Sequence, residues 1–264
     1  MTFIIAIIFF ILGLIIGSFL NVVIFRFNTE RSFGGRSGCM TCQSELRWYE
    51  LIPLISFLVL RGRCRNCKAK ISTQYPIVEF ISGLVFAGLF LKFQDVFFIN
   101  TLVFSISYAY YATMFSILLV IAVYDFKHKI IPDMLSLVLG VIAFVGLFFF
   151  ANYMFYPHIP TISEFLSGIL LALPFALIWF VSKGAWMGLG DAKLALGLGW
   201  LLGFSSLLSG AVVAFWSGAI IGLILLVFSK KYKIKSEIPF APFLALGVLI
   251  AFLFELHLFP IGLA

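Results

Sequence analysis

The chain has 264 residues, of which 63% are hydrophobic and only 11% charged. A soluble domain is about half apolar and about a quarter charged, so no single soluble core can hide this surface and the bilayer must be the solvent for much of it. The net charge of +7 fits basic cytoplasmic loops between spans and does not by itself point to nucleic acid.

Residues 1–25 form the first apolar run. No basic residue precedes it, it is longer than the core of a signal peptide, and Arg26-Phe27-Asn28 follows where a small-x-small cleavage site would stand. A retained transmembrane helix is predicted.

Residues 26–75 are the only long polar stretch and hold all four cysteines, as Cys39-Met40-Thr41-Cys42 and Cys64-Arg65-Asn66-Cys67. Two Cys-x-x-Cys knuckles separated by 21 residues have the spacing of a structural zinc site. Each knuckle places two thiolates on one face of a tight turn, and two knuckles close a tetrahedron. Arg36, Arg47, Arg63, Arg65 and Lys68 near the sulfurs favour the thiolate form. Disulfides are the weaker alternative in a reducing cytoplasm. A segment of this size buries little core, so the metal can act as a structural clip alone. Arginine-rich ribbons can also bind nucleic acid. This one is tethered between two membrane spans, and no nucleic-acid partner is predicted.

Further apolar runs lie near residues 76–92, 98–124, 132–155, 161–182, 193–204, 206–229 and 239–259. A spanning helix needs about 20 mostly apolar residues, and lipid-exposed backbone must satisfy its own hydrogen bonds. The prediction is an all-α polytopic membrane protein of about eight transmembrane helices, with a small cytoplasmic four-cysteine, zinc-ribbon-like insertion after helix 1. The sixth span is short, and its separation from the seventh rests on Gly203-Phe204-Ser205-Ser206. The chain then divides into a first transmembrane helix (1–25), a cytoplasmic four-cysteine domain (26–75) and a seven-helix membrane domain (76–264).

Eight spans gather the basic residues of 26–75, Lys127 and Lys129, Lys183 and Lys193, and Lys230, Lys231, Lys233 and Lys235 on one side. Of the 18 basic residues only Lys92 is opposite. The positive-inside rule makes that side cytoplasmic and puts both termini outside. Seven spans would strand the last lysine cluster on the wrong side.

Among the acids, Glu30, Glu45, Glu50, Asp95 and Glu237 fall in loops. Glu79, Glu164 and Glu255 lie near helix ends, where solvation or snorkelling accounts for them. Asp125, Asp133 and Asp191 remain, and ionisable residues at membrane depth are functional candidates. Asp125 closes an apolar run. Asp191 sits in Gly188-Leu189-Gly190-Asp191-Ala192-Lys193 at the start of the short sixth helix, where a carboxylate is favoured. Both lie at cytoplasmic ends of spans, at similar depth. Two carboxylates brought together share a proton. One can then activate a water while the other polarises a scissile carbonyl. The same pair suits a cation or proton site in an ion-coupled transporter, or structural pairing with Lys193 or Lys127. Spacing alone leaves these three readings open.

The motif Gly188-x-Gly190-Asp191-Ala192-Lys193 resembles the GxGD motif of intramembrane aspartic proteases, in particular the type IV prepilin peptidases. Asp125-x4-Ile130-x-Pro132-Asp133 is similar to that family's segment around its first catalytic aspartate. Gly17-Ser18-Phe19-Leu20-Asn21-Val22-Val23, the cysteine tetrad, Ile52-Pro53-Leu54-Ile55-Ser56, Gly62-Arg63-Cys64-Arg65 and Tyr75-Pro76-Ile77-Val78-Glu79 match in the family's order.

The resemblance implies a bacterial inner-membrane, multi-pass aspartic endopeptidase with its active site facing the cytoplasm. It would cut the basic leader from type IV prepilins and type II secretion pseudopilins, after a glycine and just before the substrate's apolar helix. It would carry Asp125 and Asp191 as the catalytic pair. The resemblance also implies N-methylation of the new terminus with S-adenosylmethionine as donor, linked to the segment 26–75 and its cysteines Cys39, Cys42, Cys64 and Cys67. Partners would be the pilin substrates and membrane lipid. Asp133 matches a recurrent, non-catalytic position; it follows Pro132 in a first helical turn, where both residue types have a structural explanation.

Two departures, Glu50 where the family often has aspartate and Arg26-Phe27-Asn28 where it often has proline, fall in the segment tied to methylation. No Gly-rich fingerprint for the methyl donor is present, so its site has no residues assigned. The alternatives are a peptidase without methyltransferase activity and the ion-coupled transporter.

Overall fold

A computed structural model describes residues 1–29, 34–228 and 238–257. Lys230, Lys231, Lys233 and Lys235, with Arg31, Glu30 and Glu237, lie outside the described residues. The chain forms two compact units, Met1–Phe98 and Ile99–Ala264.

The first unit contains α1 (Thr2–Arg26), a 3-10 turn (Trp48–Leu51), α2 (Ile55–Val59) and α3 (Gln74–Ile99). By compactness α3 therefore belongs with α1 and the cysteine segment. The helices α1 and α3 meet through small residues. A Cβ placed on Gly13 would lie 2.8 Å from the Gly83 Cα, and one on Gly17 would lie 2.8 Å from the Glu79 Cα. Such close backbone approach replaces the hydrophobic driving force that lipid cannot supply between helices. Phe9 stacks on Phe90 with ring centroids 4.8 Å apart.

The second unit contains α4 (Thr101–His128), α5 (Asp133–Gly146), a hairpin of β1 (Phe150–Ala151) and β2 (Met154–Phe155), α6 (Ile162–Ser182), α7 (Leu189–Phe228) and α8 (Ala241–Phe254). α7 is its centre, packed against α5, α6 and α8. Asn100 caps α4, its side chain accepting from the Leu102 and Val103 amides. Thr161 and Glu164 form a capping box at the start of α6.

α7 breaks where the sequence placed the boundary between the sixth and seventh spans. Gly203 has φ 71 and ψ 173, and nothing lies within 4 Å of where its Cβ would stand. The glycine is thus required by the backbone and not by space. The Tyr153 hydroxyl, carried by the hairpin turn, donates to the Leu202 carbonyl at 3.0 Å. It satisfies a carbonyl that the break removes from the helical ladder. Counting α7 as two pieces gives eight apolar helices among the described residues, roughly consistent with the eight transmembrane helices expected.

Two span boundaries are corrected. The predicted helix 132–155 stops at Gly146, and the apolar residues beyond it form the hairpin, which turns through Asn152 and Tyr153 at φ 47 and 65. The predicted helix 239–259 runs over Ala241–Phe254 and ends as Glu255 takes a left-handed conformation, φ 48. α1, α3, α4, α6 and α7 are long and apolar enough to cross a membrane. α5 and α8, with 14 residues each, reach about 21 Å, short of the roughly 30 Å hydrocarbon core.

Candidate active site

Asp125 sits in the last turns of α4 and Asp191 in the first turn of α7. Both are buried, at 4% and 8% exposure, and lie close enough for their charges to interact. Gly190 permits this approach of α7: a Cβ there would stand 3.0 Å from the Cβ of Ile131 in the loop that follows α4. Asp125 Oδ2 accepts the Ala241 N–H at 3.1 Å. That amide opens α8, so the carboxylate meets the positive end of a helix. The Gly188 and Asp191 backbones lie near the Asp191 carboxylate. Its Oδ1 is buried and has no hydrogen-bond partner among the described residues, so one acceptor of the pair is unsatisfied.

The Ala241 amide was missed in the sequence. The available signal was Pro239-Phe240-Ala241-Pro242, since proline in a first helical turn marks an N-terminus. Nothing local said that this N-terminus would face a residue 116 positions away.

Asp133 is placed differently. Its Oδ1 accepts from Lys193 Nζ at 2.7 Å, with the two side chains 73% and 46% exposed. The pairing that sequence spacing left open for Lys193 thus goes to Asp133. An exposed pair of this kind contributes about 0–1 kcal/mol. Asp133→Ala is therefore expected to lower stability by less than about 1 kcal/mol, and to leave any chemistry at Asp125 and Asp191 within a few-fold of the parent. Thermal unfolding in detergent together with initial rates checks both parts.

The first unit holds a second constellation. Cys39, Cys42, Cys64 and Cys67 gather with all four sulfurs within 4.8 Å of one another. The two knuckles repeat one hydrogen-bond pattern. Cys39 N–H donates to the Ser44 carbonyl and Gln43 N–H to the Cys39 carbonyl. Cys64 N–H donates to the Ala69 carbonyl and Lys68 N–H to the Cys64 carbonyl. Gln43 and Lys68 occupy equivalent positions at φ 55 and 58, so each knuckle turns back on itself in the same way.

The sulfurs of Cys39 and Cys67 are 3.8 Å apart and those of Cys42 and Cys64 are 4.0 Å apart. Zn–S bonds of about 2.3 Å in a tetrahedron require edges of about 3.8 Å. The cluster therefore has the size and donor set of a metal site.

Three of the basic residues expected to favour thiolates, Arg36, Arg47 and Arg65, are directed elsewhere. Arg36 pairs with Glu45 at 2.7 Å, and Arg47 and Arg65 both donate to the Tyr49 hydroxyl. Local donors act in their place. The Ser44 hydroxyl, then its backbone, holds the Cys42 thiol down to about 6. The Cys67 and Asn66 amides lower Cys64. Against the Ala69 amide, burial and the three neighbouring sulfurs push Cys67 up to about 11. Four thiolates this close need a cation among them.

Glu79 departs from its expected role as a solvated helix-end acid. It is 7% exposed, and its Oε2 accepts the Leu54 N–H at 2.9 Å. It lines a cleft of about 940 Å³ in the first unit, beside the cysteines.

Comparison with known proteins bears on both constellations. Residues 11–93 match a family model described as the bacterial peptidase A24 N-terminal domain, and residues 112–227 match one described as the type IV leader peptidase family. A prepilin leader peptidase/N-methyltransferase of Myxococcus xanthus is 34% identical over 88% of this chain, which spans 66% of that relative's length. A type 4 prepilin-like proteins leader peptide-processing enzyme of Escherichia coli is 32% identical over 89% of this chain and 88% of its own. A prepilin leader peptidase/N-methyltransferase of Bacillus subtilis is 29% identical, with 93% and 92% covered. No solved structure gives a significant match.

Proposed function

The chain belongs to the type IV leader peptidase family as a multi-pass membrane enzyme, and from that premise we propose that it removes the basic leader of prepilin-type substrates with Asp125 and Asp191 as its aspartyl pair. The reading is carried by one observation: two buried carboxylates, one from the end of α4 and one from the start of α7, within reach of each other's charge. A shared proton lets one carboxylate act as base on a water while the other donates to the scissile carbonyl. The Ala241 amide orients the Asp125 carboxylate, and the buried Asp191 Oδ1 has no hydrogen-bond partner among the described residues.

Type IV prepilins and type II secretion pseudopilins are the proposed substrates. The proposed cleavage site lies at the cytoplasmic face of a bacterial inner membrane, a reading supported by the basic loops at these helix ends. A basic leader would stay in water while the substrate's apolar helix remains in lipid. Membrane lipid is the surrounding partner.

The new amino terminus is proposed to be N-methylated with S-adenosylmethionine, and residues 26–75 are assigned to that second activity. The donor supplies an electrophilic methyl group on a sulfonium centre. The residues present suit such a reaction. The cleft beside the cysteines has a volume within the range of small-molecule sites, and its wall includes the stacked pair Phe25 and Tyr75, centroids 4.8 Å apart. Cys39, Cys42, Cys64 and Cys67 would hold zinc with no open coordination position, which makes the metal structural.

Membranes containing the enzyme, incubated with a prepilin with and without S-adenosylmethionine, test the whole assignment by mass analysis of the product. The leader is expected to be lost in both reactions, and one methyl group gained only with the donor. An uncut prepilin beside folded enzyme would overturn the peptidase. A cut but unmethylated product would overturn the second activity alone.

A further inference from the structure

Apart from Asp125 and Asp191, the buried acid among the described residues is Glu79. Its carboxylate accepts the Leu54 N–H, lies close to the Ser18 hydroxyl, and makes no ion pair with any described residue. A carboxylate has about four lone-pair sites, so it retains capacity toward the cleft it lines. Leu54 presents its amide from φ 59, ψ −49, a positive-φ conformation that a bulky residue adopts only under constraint. A glutamine would accept that amide equally well. The bond to Leu54 therefore does not explain why a carboxyl group, costly to ionise when buried without a cation, stands here.

The other charged groups lining the cleft are engaged or differently placed. Glu50 accepts the Arg47 N–H at 2.8 Å. Arg36 is held by Glu45, Arg65 donates to Tyr49, and Arg26 donates to the Gly34 carbonyl; Lys70 completes the cationic lining. Val22, Phe25 and Phe57 add an apolar wall. The cleft thus combines one buried carboxyl group with an apolar surface, which fits a ligand bearing an amine next to an apolar side chain.

We propose that Glu79 binds the α-ammonium group of the cleaved substrate's new N-terminus and accepts the proton it must lose before methylation; this deepens the methyltransferase reading above and rests on it. An ammonium has no lone pair, and an α-amine is mostly protonated at neutral pH. Glu79 takes one proton from nitrogen. The freed lone pair forms the N–C bond as the donor's S–C bond breaks, leaving a neutral thioether and a secondary ammonium. The proton on Glu79 then returns to solvent.

The test uses the full-length protein and a synthetic peptide with the apolar N-terminus of a processed pilin. Binding is measured without methyl donor, comparing the free amine with its N-acetyl form. The wild type is expected to prefer the free amine by about tenfold or more, and Glu79→Gln to lose that preference. Methylation by Glu79→Gln is expected to fall by about 10²-fold or more and to recover partly as pH rises and the amine deprotonates unaided. Glu79→Asp should regain both readouts in part.

No amine preference in the wild type, or an unchanged preference and methylation rate in Glu79→Gln, would overturn the proposal. Loss of bound metal and of fold in both variants would assign Glu79 a purely structural role and also overturn it. A wild type that prefers the free amine but transfers no methyl group would support amine binding while sinking the methyltransferase reading itself.

Discussion

Asp125→Asn and Asp191→Asn are each expected to slow leader cleavage by about 10³-fold or more, with the folded protein intact. General acid–base groups typically contribute about 10²–10⁴-fold each, and a pair that shares one proton acts as a unit. The double variant should therefore be little worse than either single one. Asparagine retains the volume, and at position 125 it keeps an oxygen for the Ala241 N–H, so loss of rate is separable from loss of structure. Initial rates on a membrane-embedded prepilin, normalised to folded enzyme, are the measurement. Full activity in either variant would remove that residue from the pair. Substrate uptake coupled to an ion gradient, with the prepilin uncut, would turn the same carboxylates into a transport site.

Loss of the metal is expected to have the second large effect. Structural zinc contributes about 10–16 kcal/mol of apparent binding energy in zinc-finger peptides, while whole domains are stable by about 5–15 kcal/mol. The described part of residues 27–73 has only a 3-10 turn and the five-residue α2 as helix, and Cys64 is its buried cysteine. Cys64→Ser or chelation should therefore unfold the knuckles. Purified, reduced protein should carry close to one zinc per chain, and the stripped protein should lose methyl transfer. Leader cleavage should persist, because both aspartates belong to the unit Ile99–Ala264. Less than about half an equivalent in a folded sample would argue against the structural site.

Some features were legible residue by residue. The break at Gly203 was written as a glycine followed, one residue on, by two serines. The two knuckles were written as two equal spacings, because a Cys-x-x-Cys turn closes within five residues. The end of α5 was not legible. Residues 147–155 are as apolar as the helix before them, and hydropathy reports the solvent a segment prefers, not whether it is helix or hairpin. Glu79 was misjudged for a related reason. Its place near a helix end suggested water, but Leu54 and Ser18 fold over it.

The membrane class, the number of apolar helices and the cysteine tetrad were thus decided locally, by composition and by spacings of a few residues. The surroundings of each aspartate were not. Asp125 meets the amide of Ala241, 116 residues away, and Asp133 meets Lys193, 60 residues away. Only the packing of α4, α5, α7 and α8 brings these groups together. Motif spacing drew attention to Asp125 and Asp191 at the ends of apolar runs, and the packing supplied what spacing lacked: burial for both, a helix N-terminus for one and an exposed lysine for their neighbour. The physical reason is range. Hydropathy and turn chemistry act over a few residues, whereas a carboxylate's environment is set by whichever helix ends the tertiary fold places around it.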